Sequence, residues 1–454
     1  MSVPLTHRVG GWLPPDSDVL LHWVRRLVKE VDRRAGHKEF SPVVKDLRTL
    51  IESTPRLRML ASAMFDEVPD KDPYRTDPNG CRQVRDYHHM LCLFDIIVNE
   101  KAPEWSKTEY NSGLIGFPFN AILDWPMATP SGYAFFLDKE VNVQLRNVLN
   151  YWRDNVLKTS KSLYVVTKNE KGWLSDEATV CVVDDAGAHG SPFHDIFKCD
   201  LSDEDHWGFK SWDDFFVREF KDINVLRPVG RKDDLRWVVN SCESKPFSLQ
   251  MNVKEYDTFW LKGQPYSVAE MMGHHENAAD FVDGTVYQAF LSATSYHRWN
   301  SPVKGRVVHA EVIEGTYFSE PTITGFTNPV GPDPAAPDQA QGYITHVATR
   351  AMFLIEADDP KDGGGSIGLI CAIYVGMADV STCEIANKFK FPRSKPIAVE
   401  KGEELGMFHH GGSTHCLLFP KDLQLRWVTE AFPGAAKKNL PIRSRLVYVE
   451  KNEG

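Results

Sequence analysis

The periodicity of the chain changes near residue 235, and that change limits the folds open to it. Before it, apolar residues recur at helical spacing. In "VLLHWVRRLVKEV" Val24, Leu27, Val28 and Val31 fall on one face, as in an amphipathic helix. "CRQVRDYHHMLCLFDIIVNEKA" and "DKEVNVQLRNVLNYWRDNVLKT" predict two more helices. After it, short β-branched and aromatic runs alternate with Gly and Pro: "RWVVN", "TFWLKG", "GTVYQAFLSAT", "GRVVHAEVIEG" and "GLICAIYVGM". That pattern predicts an antiparallel β-rich unit. Helices and strands segregated along the chain mean an α+β fold. We expect a helical N-terminal domain over 1–200 and a β-rich antiparallel domain over 201–454, with "KDINVLRPVGRKDDLR" where the two textures meet. Residues 327–342, "TNPVGPDPAAPDQAQG", predict a surface loop, and "DDPKDGGGSIG" predicts a hairpin connection.

The formal charge of −10 argues against a nucleic-acid or anionic-membrane partner, since such partners are held mainly by Lys and Arg. The N-terminal "MSVPLTHRVGGWLPPDSD" lacks the charged and apolar regions of a signal peptide. Runs such as "LICAIYV" have strand length and fall far short of a membrane span. A cytoplasmic protein with no integral membrane segment is the expectation. The eight cysteines form no CxxC pair and read as free thiols of a reducing compartment. The pieces "DYHHM", "GHHE" and "HGSPFHD" do not have metal-ligand spacing, so no metal is expected. Walker A, GxGxxG and GxSxG sequences are absent as well.

One stretch resists a purely structural reading. In "MFHHGGSTHCLLF", Met407 to Phe419, two glycines and a serine interrupt a run that otherwise reads as a buried strand. Glycine inside a strand marks a turn, a bulge or a close backbone approach. Either this is a tight turn, or the peptide bond between Gly412 and Ser413 is itself a reaction centre.

Three segments bear on that choice: "SWDDFFVREF", "SATSYHRWNSPVKG" and "KGEELGMFHHGGSTHCLLF". Together they resemble the phosphatidylserine decarboxylase family, through its "FFVR", its "YHR" and its C-terminal "KGxExGxF…GST", in the same order and at comparable spacing. The helical N-terminal part, "GWLSDEA", "HDIFKCD" and "SCESKPF" resemble the soluble fungal L-tryptophan decarboxylases of that family. The resemblance covers most of the chain.

The resemblance implies a self-processing decarboxylase whose cofactor is a pyruvoyl group made from Ser413. Ser413 Oγ would attack the Gly412 carbonyl and turn the peptide into an ester. Elimination and hydrolysis would then release ammonia and leave two chains, 1–412 and 413–454. Glycines at 411 and 412 remove side chains from that path and permit strained backbone. Such a family maturation uses a carboxylate, a histidine base and the serine. Glu243 in "SCES" matches the carboxylate, and His297 in "YHRWN" matches the histidine tied to decarboxylation. Asn300 stands where the maturation histidine is expected, and an amide cannot accept a proton near neutral pH. Three accounts follow: His297 serves both steps, one of His409, His410 and His415 has taken over, or the chain matures slowly or not at all.

The resemblance also implies a small-molecule amino acid as substrate, most naturally L-tryptophan or another aromatic one. Trp299, Tyr317, Phe318 and Phe408 lie near the motifs and could line an aromatic substrate pocket, although aromatics in β-rich cores are usually packing. The alternatives are a phosphatidylserine decarboxylase making phosphatidylethanolamine, and an inactive member that stays uncleaved and acts as a binding protein.

Overall fold

A computed structural model describes residues 17–34, 39–68, 84–105, 117–257, 266–319, 337–360, 367–380, 382–391, 395–436 and 438–450. The first half is helical. Its elements are α1 (Ser17–Arg33), α2 (Pro42–Ser53), α3 (Pro55–Asp66), α4 (Tyr87–Glu100), α5 (Pro118–Met127), α6 (Pro130–Phe136), α7 (Lys139–Trp152), α8 (Asp176–Asp185) and α9 (Phe193–Ile196). The three helices read from periodicity are α1, α4 and α7. Val24, Leu27 and Val31 are buried on α1. Local chemistry starts many of these helices. Asp86, Thr129, Asp138 and Ser175 each accept a first-turn amide with a side-chain oxygen, the usual way to satisfy an exposed helix start. Two short helices, α10 (Trp212–Phe216) and α11 (Ile223–Leu226), lead into the β-rich half.

There the strands are β1 (Trp237–Val239), β2 (Lys245–Met251), β3 (Thr285–Leu291), β4 (Arg298–Asn300), β5 (Gly305–Ile313), β6 (Arg350–Ala357), β7 (Leu369–Met377), β8 (Thr382–Ile385), β9 (Ile397–Val399), β10 (Glu404–His409), β11 (Gly412–Phe419), β12 (Leu425–Trp427) and β13 (Arg445–Val449). The helix α12 (Val268–Met271) precedes β3, and α13 (Pro337–Val347) precedes β6. A seven-stranded sheet in the order β2-β3-β11-β7-β6-β5-β9 forms the centre, with three-stranded sheets β4-β10-β8 and β1-β13-β12 beside it. Every ladder is antiparallel. The fold is therefore α+β with antiparallel sheets.

Alternate residues of each central strand face opposite sides. One side, including Val286, Met352, Ile373, Cys416 and Leu418, shares a continuous core with the N-terminal helices. The other, including Tyr287, Phe353, Tyr374, Leu417 and Phe419, is covered by the two small sheets. The strand β11 is thus buried along its whole length.

The loop expected over 327–342 is corrected in part: from Pro337 onward the chain is helical, as α13. Proline fits the first turn of a helix, where its missing amide is not needed. Residues 327–336 lie outside the described residues, as does "TFWLKG". So do 361–366 of the hairpin connection, whose flanking strands β6 and β7 do pair antiparallel. Among the described residues no helix is long and apolar enough to cross a membrane, and the cysteines are free thiols.

Candidate active site

Ser413 occupies the second position of β11, paired with Leu291 of β3 on one side and Gly376 of β7 on the other. It is fully buried, and its Oγ has no hydrogen-bond partner. A buried hydroxyl left in that state costs about 1–3 kcal/mol. The peptide bond before it sits where the chain leaves a tight link between β10 and β11. Gly411 in that link has φ +136°, and a Cβ there would lie 2.3 Å from the Val380 backbone nitrogen. Only glycine fits. A Cβ at Gly412 would instead meet Met377 and the Phe117 ring at an ordinary 3.5 Å.

The three motifs of the β-rich half are tied to one another. The Arg218 guanidinium, buried at the end of "FFVR", donates to the carbonyls of Thr294 and Ser295 at 2.5 and 3.0 Å. That fixes the turn leading to "YHR". In return Arg298 donates from Nε to the Val217 carbonyl at 2.9 Å and from Nη1 to Glu404 of "KGEELG" at 3.0 Å. The Phe216 ring lies flat on the His297 ring, 3.9 Å between centroids and 14° apart.

The histidines divide by their partners. His409 has Nδ1 2.9 Å from Asp213 and Nε2 2.8 Å from Glu384. With a carboxylate at each nitrogen the ring holds both protons. Burial opposes the charge, but the two carboxylates together hold the His409 pKa above its ordinary value. The same contact pulls Glu384 down to about 2. His410 accepts at Nδ1 from the Trp212 indole at 3.2 Å. Rings of Phe117, Trp152, Trp212 and Phe216 surround it, with centroids 5.1 to 6.3 Å away.

His297 and His415 are fully buried, and none of their ring nitrogens makes a hydrogen bond of ordinary geometry. Burial first, then Arg218 and His410, pushes His297 well below its ordinary pKa. Burial takes His415 to about 3. Both rings are therefore neutral at ordinary pH. His415 shares its face of β11 with Ser413, two residues on, and lies opposite Tyr374 of β7. The Tyr374 hydroxyl bonds to Ser241 Oγ, which donates to the Asn300 carbonyl.

The remaining expected residues have partners of their own. Glu243 is engaged by the Arg227 guanidinium and by the Ile442 amide at 2.5 Å. This is a buried ion pair anchoring the C-terminal segment, in place of the base-orienting contact expected from the sequence. The Asn300 side-chain amide donates to the Gly402 carbonyl. Trp299 stacks on Tyr374 at 4.4 Å, with the Phe408 ring edge-on at 4.8 Å, all within the second core. Tyr317 and Phe318 pack toward the N-terminal helices, the Tyr317 amide on Asn142 and the Phe318 ring against Phe136.

Sequence reasoning passed over Asp213, although it lies inside the "SWDDFF" that carried the resemblance. It also missed Phe117, Trp152 and Asp379. Their only signal is spatial, because 260 residues separate Asp379 from the helix it touches.

Two sequence models, both described as phosphatidylserine decarboxylase, match residues 41–181 and 212–433. Decarboxylase iboD of Amanita muscaria is 36% identical over 324 residues, covering 68% of this chain and 88% of that protein. The L-tryptophan decarboxylases of Psilocybe cubensis and Psilocybe cyanescens are 29% and 31% identical, each over 92% of this chain and 90% of their own length. A phosphatidylserine decarboxylase proenzyme of Fusobacterium nucleatum is 29% identical over 47% of this chain.

Proposed function

Because the chain belongs to the phosphatidylserine decarboxylase family, on the side of the fungal L-tryptophan decarboxylases, and is therefore a carboxy-lyase, we propose that it cuts itself between Gly412 and Ser413 and then decarboxylates an aromatic L-amino acid. The observation that carries this reading is Ser413 Oγ, buried and unpartnered in β11 beside a glycine link. The pyruvoyl group that the family makes from such a serine supplies an electron sink for the carbanion left by carbon dioxide. The residues here fit its formation: a free hydroxyl, the neutral His415 on the same strand face and no side chain on Gly412 at the attacked carbonyl.

His409 is unsuited to be the maturation base, since both its nitrogens face carboxylates. His415 is the best candidate for Asn300's missing function: it is neutral, its ring nitrogens make no hydrogen bond of ordinary geometry, and it is on the same strand face as Ser413. Two residues along a strand separate Cα atoms by about 6.8 Å, within reach of an imidazole leaning along the strand. His297, held flat by Phe216, then remains for the decarboxylation step. Glu243 and Asn300 support the surrounding backbone. Trp299, Phe408, Tyr317 and Phe318 shape the cores behind the site, while Phe117, Trp152, Trp212 and Phe216 offer the aromatic surfaces that suit an indole side chain.

The test begins with intact mass spectrometry under denaturing conditions. Two chains, 1–412 and a blocked 413–454, are expected, followed by carbon dioxide release from L-tryptophan. His415→Gln should slow cleavage by ~10²–10⁴-fold, the usual worth of a general base, whereas His297→Ala should cleave and then fail in turnover. Turnover of phosphatidylserine in liposomes would favour the lipid substrate instead. A single uncut chain after long incubation would favour the silent binding protein. The acidic charge and free thiols suit a cytoplasmic enzyme.

A further inference from the structure

Building on the self-cleavage reading, we propose that Asp379 is a positioning residue for that cleavage: it fastens the start of α5 to the turn beside Gly411 and Gly412, so that Phe117 of the N-terminal helical region walls the bond to be cut. The helical region then completes the reaction centre.

Asp379 is fully buried in the turn between β7 and β8. Its two oxygens accept from the Phe119 and Asn120 amides, each at 3.1 Å. These are first-turn amides of α5, whose own capping residue, Phe117, has no side-chain acceptor to offer. A carboxylate from 260 residues away therefore does the work that a local Ser or Asp does for α4, α7 and α8. Burial holds the Asp379 carboxyl well above its ordinary pKa, against the opposing pull of the two amides.

The other side of the same turn faces the cleavage link. Met377 pairs with Gly412. Ala378 takes φ +51°, and the Val380 backbone fills the space where a Gly411 side chain would go. Phe117 closes the arrangement from the helix side. Its ring lies 3.5 Å from the Cβ position of Gly412 and stacks on His410 at 6.3 Å. Turn, helix start and target peptide thus meet around one carboxylate. Beside it, the Asn120 side-chain amide is fully buried with both polar atoms unpartnered. Each such group costs about 1–3 kcal/mol.

An intramolecular attack depends on placement, and an error of order 1 Å can cost about 10²-fold. The experiment follows cleavage of newly translated full-length chain by intact mass, for wild type, Asp379→Ala, Asp379→Asn and Phe117→Leu, with cooperative unfolding as the check on folding. Asp379→Ala is expected to cleave about 10²-fold more slowly while still folded. Asp379→Asn keeps one acceptor oxygen and should recover part of the rate, while Asp379→Ala should stay slow under conditions where its unfolding curve shows it fully folded, which a loss of stability alone would not predict. Phe117→Leu leaves the cap intact and should also slow cleavage. Wild-type rates in folded Asp379→Ala, or no difference between Asn and Ala at 379, would overturn the proposal. If Asp379→Ala does not fold, wild-type cleavage in Phe117→Leu overturns it. An uncut wild-type chain is a separate result and overturns the self-cleavage reading itself.

Discussion

At the scale of single residues, the two glycines before Ser413 have different jobs. Gly411 is fixed by its positive φ and by the Val380 backbone 2.3 Å from its would-be Cβ. Gly412 has neither constraint in the uncut chain, since its would-be Cβ makes only ordinary contacts. Gly412→Ala should therefore fold with little loss of stability, and any defect should appear in cleavage, where the carbonyl must be approached. Gly411→Ala should be destabilised outright. Thermal unfolding of the two variants in a Ser413→Ala background separates folding from cleavage, and equal stabilities would contradict this assignment. The identity of Ser413 as the focus was legible from the sequence because a resemblance of motifs pointed there. The division of labour among the histidines was not. His409, His410 and His415 lie within seven residues of one another, and sequence alone makes them equivalent. Two carboxylates on His409, an indole on His410 and no hydrogen bond of ordinary geometry on His415 distinguish them only in space.

At the scale of elements, the His409 contact joins α10, through Asp213, to β8, through Glu384, across β10. Its dependence on pH follows from the directions of the shifts. The His409 pKa is raised above its ordinary 6.5, so its contribution is complete below that pH and fades as pH rises through the folded value. Glu384 is lowered from 4.5 to about 2, so its contribution is complete above pH 4.5 and is lost toward pH 2. The contact is strongest between the two ordinary values. Removing it with His409→Ala should cost about 1.5 kcal/mol, the low end for hydrogen bonds to charged groups. The Glu384 side chain is 40% exposed and partly screened. Denaturant unfolding at pH 5.5 and at pH 9 checks this: the difference from wild type should shrink at the higher pH, and a constant difference would refute the charge on His409. The elements themselves were largely readable. The helices α1, α4 and α7 and the strands β1, β3, β5 and β7 follow from apolar spacing. The start of α13 at Pro337 was misread, because Pro among Gly and Ala signals both a loop and a first helical turn.

At the scale of the whole molecule, the helical region and one face of the seven-stranded sheet form a continuous core, from Trp23 and Phe94 to Cys416 and Leu418. A fragment of residues 201–454 would expose that sheet face to water, so it is expected to express insolubly or to unfold without cooperativity. A soluble, cooperatively folding fragment would show that the β-rich part stands alone. By itself the sequence determined the alternation of textures, hence an α+β chain with antiparallel strands. It also determined, through its motifs, the family and the peptide bond to examine. These are properties of residue spacing along one dimension. Only the tertiary structure decided what lies near that bond and how the other expected residues are engaged: Phe117 and Trp152 come from the helical half, Asp379 caps a helix 260 residues away, and Glu243 is bound to Arg227. The physical reason is that hydrogen bonds, ion pairs and ring contacts act over a few ångströms, and chain separation carries no information about which groups folding brings within that range.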